Sequence, residues 1–169
     1  YTVDDIITVS PQMEEIKQRI PLIADTYSSV LIYGETGTGK ELVAESIHTA
    51  SKRAGKRFVS QNCAAIPGNL LESILFGTKK GSYTGAENKP GLFEIANGGT
   101  LFLDEINSME LNVQAKILKA IEEKQVVRLG GYEPIKTDIK VISAVNERPM
   151  DCVKAGKLRE DLFYRLSVV

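Results

Sequence analysis

The run Gly34-Glu35-Thr36-Gly37-Thr38-Gly39-Lys40 is built to hold a polyphosphate. In a GxxxxGK spacing the glycines let backbone N–H groups converge on phosphate oxygens, and the lysine reaches the β and γ phosphates. Val30-Leu31-Ile32-Tyr33 before it is short, apolar and β-branched, while Val43, Ile47 and Ala50 after it recur at helical spacing. The local order is therefore strand, glycine loop, helix, which a plain glycine-rich turn would not require. Glu41 follows the lysine where the general motif has Ser or Thr as a magnesium ligand, so the cation must be held by other groups or through water.

A second acidic element completes the chemistry. Thr100-Leu101-Phe102-Leu103 is an apolar run ending in Asp104-Glu105, and the C-terminal end of a buried strand is where doubly wound sheets bind ligands. Asp104 is suited to hold Mg²⁺ and Glu105 to orient and deprotonate an attacking water. The competing reading, an acidic helix cap, leaves the upstream glycine loop unexplained. Together the two motifs indicate nucleoside triphosphate hydrolysis. Two rivals stay open on the residues alone: a small-molecule kinase on the same core, and a nucleotide-binding switch or scaffold that does not hydrolyse. A GTPase would want an NKxD motif, and Asn146-Glu147-Arg148-Pro149 is not one.

The elements that must position these groups follow from periodicity. Pro11, Met13, Ile16, Ile20 and Ile23 predict an opening helix from Ser10 to about Asp25, with Pro21 inside it. Arg57 to Ser60 reads as a strand, Asn69 to Phe76 as a short helix with Leu70, Leu71, Ile74 and Leu75 inside, and Gly77 to Gly91 as a long polar loop. Leu111 to Glu123 is an amphipathic helix with Leu111, Ala115, Leu118 and Ile121 on its buried side. Val126 to Leu129, then Gly130-Gly131, then Ile135 onward predicts a hairpin insertion before a buried strand, Ile139 to Val145. A last helix covers about Arg159 to Leu166, and Ser167-Val168-Val169 starts a further strand. Strands alternating with helices imply a mostly parallel sheet with helices on both faces, a three-layer αβα P-loop NTPase fold.

Composition narrows the function classes. The chain has 169 residues, a formal net charge of −1 and 43% hydrophobic residues, which fits one globular domain. It lacks the positive field of a protein that grips nucleic acid directly, and no apolar run reaches membrane-span length. No secretory signal is legible at its start, so a cytoplasmic setting is expected. Cys63, Cys152 and His48 form no metal or nucleophile constellation; the cysteines read as packing residues and His48 as a helix-surface residue. Lys52-Arg53 and Lys56-Arg57 read as a solvated basic face.

With these residues in view, the whole chain resembles the central AAA+ ATPase domain of NtrC-class bacterial enhancer-binding proteins, activators that work on sigma-54 RNA polymerase. In that family glutamate follows the P-loop lysine, as Glu41 does here. Gly81-Ser82-Tyr83-Thr84-Gly85-Ala86 resembles the GAFTGA signature, with Ser82 and Tyr83 in place of Ala and Phe. The resemblance implies that this loop contacts the sigma factor. It also implies that Asn62 holds Glu105 in a resting pose, and that Asn146 senses nucleotide at the end of Ser143-Ala144-Val145-Asn146, where Val145 replaces the usual threonine. In Arg159-Glu160-Asp161-Leu162-Phe163-Tyr164-Arg165-Leu166, Arg159 and Arg165 would be arginine fingers; on residues alone, surface charges paired with Glu160 or Asp161 are favoured. The implied cofactors are ATP and Mg²⁺, and the implied assembly is a homo-oligomeric ring, a hexamer. Residues 1–169 would then be the α/β subdomain of a longer regulator, with the lid, sensory and DNA-binding modules outside it and DNA contacted only through the last.

Overall fold

Apolar runs with strand spacing become strands where helices can cover them, and the order along the chain sets which helix covers which face. A computed structural model describes residues 1–6, 11–26, 28–35, 37, 39–64 and 66–167. In chain order the elements are α1 (Pro11–Ala24), β1 (Val30–Tyr33), α2 (Lys40–Ala50), β2 (Phe58–Asn62), α3 (Gly68–Phe76), β3 (Gly77–Thr78), β4 (Lys89–Pro90), α4 (Leu92–Ile95), β5 (Thr100–Asp104), α5 (Leu111–Glu123), β6 (Gln125–Val126), β7 (Ile135–Lys136), β8 (Lys140–Val145), α6 (Pro149–Lys154) and α7 (Glu160–Leu166). Two 3-10 turns, Val3–Asp5 and Ile106–Ser108, complete the set.

The central sheet has the order β1-β8-β5-β2, with every pairing parallel. Strand alternation divides its side chains between two cores. Phe102, Ile142 and Ala144 join Ile20, Val43 and Ile47 of α1 and α2. Leu101, Leu103, Val141 and Val145 point the other way, against Leu71, Val113, Ile117 and Leu162 of α3, α5 and α7. This is the three-layer αβα arrangement that the alternation of elements implied.

Helix α1 runs through Pro21 to Ala24, close to the expected end, and Lys140 closes it. The buried ammonium of Lys140 donates to the carbonyls of Ile23 at 3.2 Å and Thr26 at 2.6 Å, and burial pushes its pKa down. Ser10, where the helix was expected to open, and Val168 and Val169 of the expected further strand lie outside the described residues.

Several expectations need correction. The buried side of α5 carries Val113, Gln114, Ile117 and Ala120, while Leu111 is exposed, so the true stripe is rotated from the one the apolar residues suggested. Leu70 is likewise exposed on α3. The polar loop is not irregular throughout: its neck is an antiparallel ladder, Gly77 opposite Pro90 and Thr78 opposite Lys89. The hairpin is wider than its glycine pair suggested, since β6 and β7 pair only over Gln125–Lys136 and Val126–Ile135. The short helices α4 and α6 carry too few residues to show a period. Arg53 is not a solvated charge; its guanidinium is drawn in by Asp138, at 2.8 Å from Oδ1, and by the Gly99 and Asp138 carbonyls. Cys63 and Cys152 are free and buried, as packing residues should be, and burial near Asp104 and Glu105 pushes the Cys63 thiol up to about 12.

His48 also departs from expectation: it is buried, not on the helix surface. A carbonyl only accepts, so Nε2–H donates to Lys56 O at 3.0 Å and the Thr100 hydroxyl donates to Nδ1 at 2.7 Å, fixing one neutral tautomer. Burial holds its pKa below the ordinary 6.5. The unfolded chain therefore takes up this proton first as pH falls. Stability should be complete above pH 6.5 and decline below it, by up to ~1.4 kcal/mol per pH unit, until the folded-state pKa is reached. Because His48 is the single histidine of the chain, urea midpoints at pH 7.5 and 5.5 test this; equal midpoints would contradict it.

Candidate nucleotide-binding and hydrolysis site

The phosphate loop leaves β1 at its C-terminal end, where Gly34 N–H donates to Val145 O at 3.3 Å and thereby ties the loop to β8. Gly37 and Gly39 have φ of 84° and 87°, the left-handed basin that a side chain would strain. Gly39 is the cap residue of α2 and supplies no side chain, so the first amides of this helix are open to an anion. Lys40 is 7% exposed and turned into the loop, its ammonium donating to Gly34 O at 2.7 Å and Glu35 O at 3.3 Å. Glu41 lies exposed in the first turn of α2. Thr36 and Thr38 of the motif lie outside the described residues. Beside Lys40 and Gly34 opens a cavity of about 620 Å³, walled by Met13, Ile20 and Ile23 of α1 and by Val30 to Tyr33 of β1. An apolar pocket adjoining a phosphate cradle matches a nucleoside triphosphate's two chemistries, flat base and charged tail.

Across β8 from β1, β5 ends in Asp104, which pairs in register with Asn62 at the end of β2. The backbone then turns sharply: Glu105 has φ 53° and ψ 51°, a left-handed conformation unusual for glutamate, and its N–H donates to Asp104 Oδ1 at 2.9 Å. Glu105 caps the Ile106–Ser108 turn without any side-chain hydrogen bond to it, so its carboxylate is not serving as a helix cap. Asn62 accepts Ala64 N–H on Oδ1 at 2.8 Å, which places its hydrogen bond in its own loop and not on Glu105. A single aspartate with phosphate oxygens is a donor set that suits Mg²⁺, which keeps several waters. Among the described residues no group of three His, Cys, Asp or Glu forms an all-protein metal site.

Between the two halves stands Asn146, just past Val145, whose register partner is Tyr33 at the mouth of the phosphate loop. Asn107, on the turn after Glu105, donates from Nδ2 to Asn146 Oδ1 at 2.8 Å. Sequence reasoning missed Asn107, and it missed Gln114. The carboxamide of Gln114 is fully buried: Nε2 faces the carbonyls of Ile106 (3.3 Å), Met109 (3.0 Å) and Lys157 (2.8 Å), and Oε1 accepts Arg159 N–H at 2.9 Å.

Arg159 is the cap residue of α7, and its guanidinium forks onto Asp161 at 3.0 and 2.9 Å, which holds the Asp161 carboxyl below its ordinary range. Arg165 lies near the other end of α7 and lines a different cavity, with Ser28, Lys124 and Asp138. Within one subunit, then, neither arginine is brought to the phosphate loop.

The two insertions meet away from this site. Leu129 N–H donates to Gly77 O and Lys79 N–H to Leu129 O, both at 2.9 Å. Gly130, at φ 77°, lies so close to Ser82 that a Cβ would come within 2.5 Å of the serine's own. Arg128 reaches back to α4 and grips both carboxylate oxygens of Glu94 at 2.9 Å, pushing that carboxyl's pKa down. On this braced base the tip is open to solvent: Tyr83 is 56% exposed and Gly81, Thr84 and Gly85 are exposed, while Ala86 is tucked in and Ser82 N–H donates back to Lys79 O at 3.1 Å.

Known proteins share this sequence pattern and this fold. The family described as the Sigma-54 interaction domain matches residues 6–169. The transcriptional activator RocR of Bacillus subtilis (strain 168) is 53% identical over all of this chain and 37% of its own length. The regulatory protein AtoC of Escherichia coli (strain K12) is 52% identical over 97% of the chain and 36% of its own length. The crystal structure of NtrX from Brucella abortus in complex with ATP superposes with a TM-score of 0.88 at 40% identity, over 97% of this chain and 35% of that one. The chain thus spans about a third of the length of such relatives. Sequence and fold together show that it belongs to the Sigma-54 interaction domain family, the P-loop NTPase domain of sigma-54-dependent enhancer-binding activators.

Proposed function

We propose that this chain hydrolyses ATP at the interfaces of a homo-oligomeric ring, a hexamer, and uses the cycle to remodel sigma-54 RNA polymerase. The observation that carries the reading is the meeting, at the C-terminal ends of the parallel strands, of the Lys40 loop, the Asp104-Glu105 turn and Asn146 between them. Gly34 to Lys40 would cradle the phosphates, with Glu41 beside them. Asp104 would hold Mg²⁺, whose charge stabilises the phosphate oxygens when bound. Glu105 takes the proton of the attacking water and Asn146 donates to the terminal phosphate; Asn62, whose Oδ1 is held by Ala64 N–H, would restrain Glu105 between turnovers only by bringing its Nδ2 onto that carboxylate. Arg159 and Arg165 act in trans on the neighbouring subunit's nucleotide, which agrees with neither reaching its own phosphate loop. The crystal structure of the relative NtrX in complex with ATP supports the nucleotide; no helix among the described residues is long and apolar enough to cross a membrane.

In the full-length protein, ATP turnover per subunit should climb steeply with protein concentration, because a site borrowed from two subunits exists only in the assembly. Flat turnover across a range that spans assembly would refute sharing. The partner arm is tested separately at the exposed tip, Gly81 to Ala86. Tyr83→Ala should leave hydrolysis within about twofold, as a surface change does, while abolishing binding to sigma-54. Loss of turnover instead would place Tyr83 in the catalytic machinery.

A further inference from the structure

Asn146 can offer the terminal phosphate either end of its carboxamide, and only the NH₂ end would attract it. Which end it offers is decided by Asn107. The Nδ2 of Asn107 donates to Asn146 Oδ1 at 2.8 Å, and Asn107 is 8% exposed, so its own amide cannot turn toward water. Turning Asn107 over alone would set oxygen against oxygen. Turning both over would bury the two N–H donors of Asn107 in the place now held by its Oδ1, an atom already buried and without a hydrogen-bond partner among the described residues. Orphaned buried N–H groups are rarer than under-satisfied carbonyl oxygens, so the pair is locked in the orientation seen. Asn146 is thereby left with its oxygen occupied and its NH₂ as the outward end.

We infer that Asn107 is a positioning residue: it fixes the donor end of Asn146 toward the terminal phosphate, and it does so from the very turn that Glu105 begins. This rests on the proposed contact between Asn146 and phosphate. The same short turn, Ile106–Ser108, then sets both the left-handed Glu105 that would aim the water and the amide that would read the phosphate. Neither group can be displaced by a movement of that turn without the other.

Isosteric variants of the full-length protein, assayed at ring-forming concentration, separate this role from simple packing. In Asn107→Asp the ionised carboxylate accepts only; it draws the Asn146 NH₂ to itself and turns Asn146 Oδ1 at the phosphate. Asn107→Leu keeps the volume and leaves Asn146 unconstrained. The expected order of damage is therefore Asp worse than Leu, with KM for MgATP raised about tenfold or more in Asn107→Asp and a few-fold in Asn107→Leu. In the background of Asn146→Ala, Asn107→Asp should add nothing further to KM. A packing role predicts the opposite order, because Asp is the closer isostere, and an additive double variant; either result overturns the inference. If Asn107→Asp does not fold, wild-type KM in Asn107→Leu overturns it equally. Should Asn146→Ala itself leave KM and kcat unchanged, the phosphate contact of Asn146 fails, which is a distinct result from a damaging Asn146→Ala with silent Asn107 variants.

Discussion

Replacing Arg159 with alanine is expected to lower ATP turnover of the assembled protein by ~10³–10⁵-fold, the range an arginine supplied to a phosphoryl-transfer transition state contributes. Nucleotide binding should change far less, since Arg159 does not approach its own subunit's phosphate loop. The guanidinium is pre-shaped by its fork onto Asp161, yet both partners are well exposed, 38% and 48%. An exposed pair of this kind is worth little in water, so its exchange for a phosphate across an interface is opposed by little. Only the backbone of Arg159 is firmly held, through its N–H to Gln114. Turnover within tenfold of wild type at ring-forming concentration would remove Arg159 from the mechanism.

The second large effect belongs to Glu105→Gln. A positioned general base contributes ~10²–10⁴-fold, and the amide cannot take the water's proton. ATP affinity should be retained, because the loop amides and Lys40 are untouched. The two variants together then test the shared site. An Arg159→Ala subunit keeps its Glu105, and a Glu105→Gln subunit keeps its Arg159; in an equal mixture about a quarter of head-to-tail interfaces carry one good copy of each. Mixed rings should recover activity that neither variant shows alone. No recovery on mixing, in rings shown to exchange subunits, would mean that both groups serve the same subunit.

What was legible in the sequence was whatever is local. The strand-loop-helix around Lys40 and the acidic pair closing an apolar run declare themselves over a few consecutive residues, and both lie at the C-terminal ends of strands in the central sheet. The groups that went unread depend on partners far along the chain. Gln114 looks like a solvent-facing residue on α5 until Lys157 and Arg159, more than forty residues on, fold against it, and burying that one polar side chain is what rotates the helix. His48 is taken inward by Thr100, 52 positions away, and Asn107 meets Asn146 across 39. The glycine pair Gly130-Gly131 promised a tight hairpin, but Leu129 bridges to Thr78 in the other insertion, so the ladder stops at Val126. Periodicity reports which residues could be inside; it is silent on polar groups that are paid for by distant partners.

Gln114 ends as more than a buried amide. One carboxamide grips the turn behind Glu105 and, at its other end, the backbone that launches Arg159, with hydrogen bonds worth about 0.5–1.5 kcal/mol apiece. A subunit whose acidic turn shifts therefore drags the root of its arginine along. In the proposed ring that arginine belongs to the adjacent nucleotide, so a change registered on one side of a protomer leaves by the other, and always in the same rotational sense.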